Sequence, residues 1–522
     1  MRDYTALLAT GPSQRWNAGL ATGTPVFVTY SFVESADLPA LADYNPYNAS
    51  AYDAFSDAQR ANTRAALAQI SGAFGVTFVE TGGEGMVNIF ASSGASFAGW
   101  ANYPQVSDSF IFAGRLVINR SDDLNPGTGS YQVLLHEIGH ALGLKHPFEG
   151  DVRLADDLNT TANTLMSYGW SGGPYSSFSP LDVAALEHLY GRAADLAGWV
   201  WGFADAAFAV RAAGANDTIV GVRGANRLEG MGGADTILGG PDGDTILGGG
   251  GNDSLRGRAG DDSILGGSGH DTIEGGRGND TIRGGPGNDL LIGDGEGEWG
   301  MDAIWGGAGR DTIRGGGGAD TLRGDAGNDL IEGGDGNDLI EGGEGADALY
   351  GGGWSDTIFG GGGKDRIWGG EGFDTIFGGA GDDRIWGGEG SDDIDGGEGN
   401  DIIRGVAGIN RLRGGAGADT LIGGADFDYF YGGAGNDRMT GGAGPDRFVF
   451  GEADRGGLDR VTDYEPRIDQ FDLRGMGFLR SDIAVLARGN GDAMLSVGGK
   501  AGIRVILTGV APEDVYLFDV FV

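Results

Sequence analysis

A nine-residue period governs the second half of the chain. From about residue 214 to 450 the pattern G-G-x-G-x-D-x-U-x recurs, where U is a large apolar residue. Its acidic position falls at Asp217, Asn226, Asp235, Asp244, Asp253, Asp262, Asp271, Asp280 and Asp289. A four-residue insertion around GDGEGEWG (293–300) shifts the phase, and the position returns at Asp302. It then holds through Asp311, Asp320, Asp329, Asp338, Asp347, Asp356, Asp365, Asp374, Asp383 and Asp392 to Asp446. Every one of these positions is Asp except Asn226 and Asn410, and each is followed two residues later by an apolar side chain. Such a pattern leaves few folds open. The glycines permit positive φ, so each unit turns tightly with its carbonyls aimed at a common point. The turn leads into a three-residue strand with U inward and its neighbours outward. One such strand cannot bury U alone, so the units must stack.

The charge makes the same region depend on an ion. The 522 residues include 108 glycines, 75 acids and 35 bases, for a net charge of −40. That balance repels nucleic acid and excludes a phosphate-binding surface. Aspartates on adjacent coils stand about 4.8 Å apart and repel by about 0.9 kcal/mol per pair even in bulk water. Burial makes this worse. Ca²⁺ accepts six to eight oxygens at flexible angles, which suits carboxylates combined with turn carbonyls better than Mg²⁺ would. The repeat resembles the calcium-binding nonapeptide of repeats-in-toxin (RTX) proteins, in which two units form one coil of a right-handed parallel β-roll. The resemblance implies an all-β roll of about 13 coils. Its calcium ligands would be the aspartates from Asp235 to Asp280 and from Asp311 to Asp392. The region should stay largely unfolded until calcium reaches roughly 10⁻⁴–10⁻³ M. His270 falls at an outward position and is expected to be solvated.

The first two hundred residues have ordinary composition. Strands are expected at 25–32, 76–80, 87–90 and 115–119. Ser56 and Gln59 form a capping box ahead of a helix, DAQRANTRAALAQI. A second helix is expected over YQVLLHEIGHALG (131–143) and a third over 179–191. On the second, His136 and His140 are four residues apart and project from one face, as metal chelation requires. Glu137 stands beside the metal rather than on it. Gly143 allows a left-handed helix end, which would bring His146 back as a third ligand. Three histidines leave an open position for water, which marks a catalytic rather than a structural zinc site. Zinc would acidify that water, and Glu137 would take its proton as general base. The chain has no cysteine, which excludes disulfides, thiol catalysis and thiolate metal sites.

HEIGHALGLKHP (136–147) followed by TLMSYG (164–169) resembles the metzincin zinc peptidases. With the calcium repeats downstream, the chain resembles the serralysin group of secreted bacterial metalloendopeptidases. ALLATGPSQRW, TYSF, FAGWANYP and LEHLYG resemble serralysin segments as well. The resemblance implies an α+β metzincin-like catalytic domain, with zinc held by His136, His140 and His146. It makes Met166 the Met-turn residue beneath the ligands. Tyr168 becomes the tyrosine that helps to stabilise the oxyanion. FAGWANYP (97–104) would be the edge strand on which a substrate peptide lies extended. Residues 448–475 resemble the cap on the roll.

These readings divide the chain into a protease domain (1–195), a linker with a first strand (196–213), the calcium-binding roll (214–450) and a cap with an export signal (451–522). No apolar run approaches the roughly 18 residues of a membrane span, and the start lacks the apolar core of a secretory leader. The last five residues, Phe518-Asp519-Val520-Phe521-Val522, resemble the uncleaved signal of type I export through an ATP-binding-cassette transporter. The partners expected are protein or peptide substrates and that export machinery, with the chain itself a monomer. The alternative is a calcium-dependent adhesin or surface-binding protein with a vestigial protease head. An intact zinc constellation weighs against it, because a binding module has no use for Glu137 or an open metal position.

Overall fold

The computed structural model describes residues 26–32, 51–71, 76–81, 87–93, 99–101, 105–106, 111–112, 114–119, 124, 129–142, 185, 199–204 and 207–521, except 475, 490, 499–501 and 517–519. They divide into two compact units, one comprising 1–249 with 254–260 and the other 250–253 with 261–522.

The first unit opens with β1 (Val26–Phe32), β2 (Ala51–Asp53), α1 (Asp57–Ser71), β3 (Val76–Glu80), β4 (Val87–Ser93) and β5 (Gly99–Ala101). After β6 (Gln105–Val106) and β7 (Ile111–Phe112) come β8 (Gly114–Asn119) and α2 (Gly129–Ala141). The main sheet runs β3-β1-β4-β8-β5, with β2 also on β4. Its first four strands are parallel, and β5 lies antiparallel on β8 at the edge. α1 begins at the expected capping box. The Ser56 N–H donates to Gln59 Oε1 (3.0 Å), and the Gln59 N–H donates back to Ser56 Oγ (3.3 Å). Thr63, Ala66, Leu67 and Ile70 form its buried stripe at helical spacing. α2 starts two residues before the expected Tyr131, because its first turn lacks the apolar spacing that marks the rest. It packs on β5 and β8 and buries Leu134, Leu135, Ile138, Ala141 and Leu142. The third helix expected, 179–191, lies outside the described residues apart from buried Ala185. Later in this unit Thr218–Val220, Thr236–Leu238 and Ser254–Ala259 pair in parallel, each 18 residues from the last.

In the second unit the repeats form two parallel sheets. Units 18 residues apart stack, as Ile313 does on Ile331, while the unit between them lies in the other sheet. The strands are six residues long, such as Thr312–Gly317 and Leu330–Asp335, not three. Pairing continues across the glycine pair, where Gly316 at φ 111° faces Gly334. The inward U residues are fully buried from Ile273 to Phe448.

The parallel solenoid has about 14 turns in all rather than 13. In the second unit, pairing does not stop at residue 450. Arg447–Val449 pairs with Gln470–Asp472, which pairs in turn with Val520–Phe521. Arg438–Gly442 pairs with Asp459–Val461, which pairs with Ile503–Leu507. The insertion is absorbed in one longer coil, where Ile282 stacks on Ile304 and Leu291 on Ile313 at 22 residues.

Candidate metal centres

α2 carries the first candidate centre. The rings of His136 and His140 lie 4.8 Å apart between centroids and perpendicular to each other. Both are buried, as is Glu137 between them in sequence. A helix whose neighbouring side chains are apolar has withdrawn two imidazoles and a carboxylate from water, and such groups are tolerated there when paired or bound to metal. His146, Met166 and Tyr168 lie outside the described residues. Among the described residues no three His, Asp, Glu or Cys side chains converge closely enough to hold a metal by themselves. The structure thus brings together the rings of His136 and His140, two of the three residues expected to hold zinc.

The second candidate centre is the repeat itself. Asp347 is fully buried. Its Oδ1 accepts the N–H of Asp329, one coil earlier, at 2.8 Å, while its Oδ2 has no hydrogen-bond partner. A methyl group on Gly342 would stand 2.5 Å from the Gly360 carbonyl oxygen and 2.6 Å from Asp347 Oδ2. Two acceptors thus face a space that only glycine leaves open, with no donor between them. The same unpartnered Oδ2 recurs at Asp271, Asp280, Asp311, Asp320, Asp329, Asp338, Asp356, Asp365, Asp374, Asp383 and Asp392.

Asn410 shows what the space requires. Its Oδ1 accepts the N–H of Asp392, as the aspartates do, but its Nδ2 donates to the carbonyls of Gly408 (3.2 Å) and Ala407 (3.4 Å). In the first unit Asn226 does the same towards Val222 and Gly224, both at 2.8 Å. Where the side chain is an amide, its own hydrogens satisfy the turn carbonyls. Where it is a carboxylate, the side chain brings no donor, and an all-oxygen donor set of this kind suits Ca²⁺. Asp244 departs from this pattern, since its Oδ2 already accepts the Gly240 N–H at 2.5 Å. Asp235, Asp253 and Asp262 are buried in the same place in their repeats.

Burial, and then neighbouring carboxylates, push these groups up. Asp302 reaches about 8, with Asp294, Asp280 and Asp320 as the neighbouring charges. Asp329 reaches about 7, with Asp347 and Asp311 beside it.

Two features escaped the nine-residue ruler. Asp459 accepts the Asp437 N–H (3.1 Å) and Asp469 accepts that of Asp446 (3.0 Å), so both extend the columns. The apolar residues two places on, Val461 and Phe471, were the available clue, but spacings of 22 and 23 hide it. His270 is not merely solvated. Its Nδ1 accepts the Asn288 N–H (2.8 Å), and its own N–H donates to Asn252 (2.9 Å). It thereby takes an asparagine's place in an outer ladder, seen again where Asn328 accepts the Ala346 N–H.

A family described as the RTX calcium-binding nonapeptide repeat matches in nine overlapping segments between residues 212 and 448, one ending at 295 and the next starting at 296, inside the insertion. Metalloprotease AprA of Pseudomonas entomophila is 33% identical over 197 residues, covering 32% of this chain and 39% of that protein. Serralysin G of Dickeya chrysanthemi is 31% identical over 205 residues, covering 34% and 41%. The chain is thus similar to serralysin-type metalloproteases and carries RTX calcium-binding nonapeptide repeats. It spans about two fifths of the length of these curated relatives. A subunit of an Azotobacter vinelandii mannuronan C5-epimerase matches 27% of the chain and 78% of its own length at 27% identity, with a TM-score of 0.20 that carries no structural argument.

Proposed function

We propose that the protein is a secreted, calcium-stabilised zinc metalloendopeptidase that hydrolyses peptide bonds of protein substrates. The observation that carries this reading is the buried pair His136 and His140 on one helix face, with Glu137 beside them, in a relative of serralysins. In this proposal the head is a metzincin-like domain in which His136, His140 and His146 hold zinc. Met166 supports the ligands from below. When bound, zinc polarises the scissile carbonyl and brings the pKa of a water towards neutrality. Glu137, kept from bulk solvent, takes the proton of the attacking water and delivers it to the leaving amine. Tyr168 donates a hydrogen bond to the oxyanion. β5, the last strand of the sheet among the described residues and packed against α2, offers backbone groups to an extended substrate.

The roll, with its columns of unpartnered carboxylate oxygens, is the calcium-binding part. Export through a type I transporter fits the acidic repeats, which stay unfolded in a calcium-poor cytosol and fold outside. No helix among the described residues is long and apolar enough to cross a membrane. The test is hydrolysis of casein by the full chain in calcium. Activity should disappear on zinc chelation and fall at least about 10²-fold in Glu137→Ala, as loss of an essential general base implies. A Glu137→Ala protein as active as the original would end the proposal.

A further inference from the structure

Asp294 and Asp325 occupy the same place in their repeats, directly after the first glycine of the turn. Asp325 is half-buried, whereas Asp294 is only 5% exposed. The insertion makes the difference. Without Gly295-Glu296-Gly297-Glu298 the turn would read G-D-W-G-M-D, an ordinary unit. With those residues, the chain folds back so that the Glu298 N–H donates to the Gly295 carbonyl (3.1 Å), and Arg277 holds Glu298 at 2.9 Å. Neither carboxylate oxygen of Asp294 has a hydrogen-bond partner. The N–H groups of Gly317 and Gly300 face the carboxylate; neither reaches hydrogen-bond geometry with it, and that of Gly300 is given to the Gly317 carbonyl at 2.8 Å.

Asp294 lines a pocket of about 490 Å³ whose other acidic walls are Glu274, Glu296, Glu298 and Asp335. Its one basic wall, Arg314, is engaged by Glu332 at 2.9 Å. A buried carboxylate with both oxygens unpaired requires a counter-charge, and the pocket offers oxygen donors without a spare cation.

We propose that the insertion builds an additional calcium site, off the two aspartate columns, with Asp294 as its anchor. Because no three acidic side chains converge closely among the described residues, loop carbonyls and water complete the shell, as calcium's six to eight oxygens allow. The site rests on the reading of the roll as a calcium module, and the experiment separates the two.

Crystals of the full chain grown with calcium, then exchanged into terbium, show bound ions as anomalous peaks. The expected result is a peak against the Asp294 carboxylate in addition to the column peaks. Asp294→Asn and the deletion of 295–298 should each lose that peak alone, and Asp325→Asn should lose none of them. Column peaks with nothing at Asp294, or an unchanged peak in both altered chains, would overturn the proposal. Absence of the column peaks too would instead remove the reading on which it rests, and the proposal with it.

Discussion

The two asparagines in the columns explain the aspartates around them. Asn410 donates from its own amide to the turn carbonyls, whereas Asp347, with no donor at the same place, leaves its own Oδ2 unpartnered. Asp347→Asn should therefore bind fewer calcium ions without losing stability in the metal-free state. Asp347→Ala should lose about 1–3 kcal/mol, because it strands the Asp329 N–H that Asp347 Oδ1 accepts. Calorimetry of metal-free and calcium-loaded samples checks both.

Protons offer a second substitute for the cation. The column aspartates have folded pKa values raised to about 7 at Asp329 and Asp338 and about 8 at Asp302, mainly by burial, against about 3.9 in an unfolded chain. Between those values the folded state holds more protons than the unfolded one. Metal-free stability is then greatest below about pH 4 and falls as pH rises through about 7 or 8. Circular dichroism in chelator should show β-structure gained on acidification from pH 8 to 5. A metal-free roll that gains structure as pH rises would contradict this.

At the scale of elements, the inward stack and the glycine pairs set the geometry. Ile358 is fully buried in a central coil, so Ile358→Ala should cost about 2–5 kcal/mol in calcium, read from denaturant midpoints. Gly342→Ala should be as damaging for the opposite reason, since its methyl would enter the space between Asp347 and the Gly360 carbonyl. The stacking of the roll was legible because U and Asp recur every nine residues on either side of the one insertion, and α1 and α2 were legible from a capping box and from i,i+4 spacing. The six-residue strands were not, because glycine carries no pattern of its own and pairs only once the next coil is in register. Asp459 and Asp469 were hidden for a related reason: the columns are continuous in space, but longer loops break the sequence count. The ladder role of His270 depends on which residues face one another across coils, which a single repeat does not show. Of the zinc constellation, His136 and His140 were legible from their offset, and the structure places their rings together.

For the whole molecule, the acidic excess couples folding to location. In chelator the chain should lack the β-signal of the roll and acquire it cooperatively as calcium reaches about 10⁻⁴–10⁻³ M. The strand Val520–Phe521 pairs with Phe471 and Asp472, so these two residues of the segment proposed as the export signal also belong to the folded sheet. Deleting the last dozen residues should abolish export and weaken the cap; normal export of the shortened chain would remove the signal assignment. The claim that decides the function is that zinc sits on α2. Metal analysis of the purified full chain in calcium tests it most directly. About one zinc per chain is expected for a three-histidine site, lost in His136→Ala and His140→Ala while the calcium-dependent β-signal is retained. Zinc absent from the unaltered chain, or bound equally well after either substitution, would contradict the account.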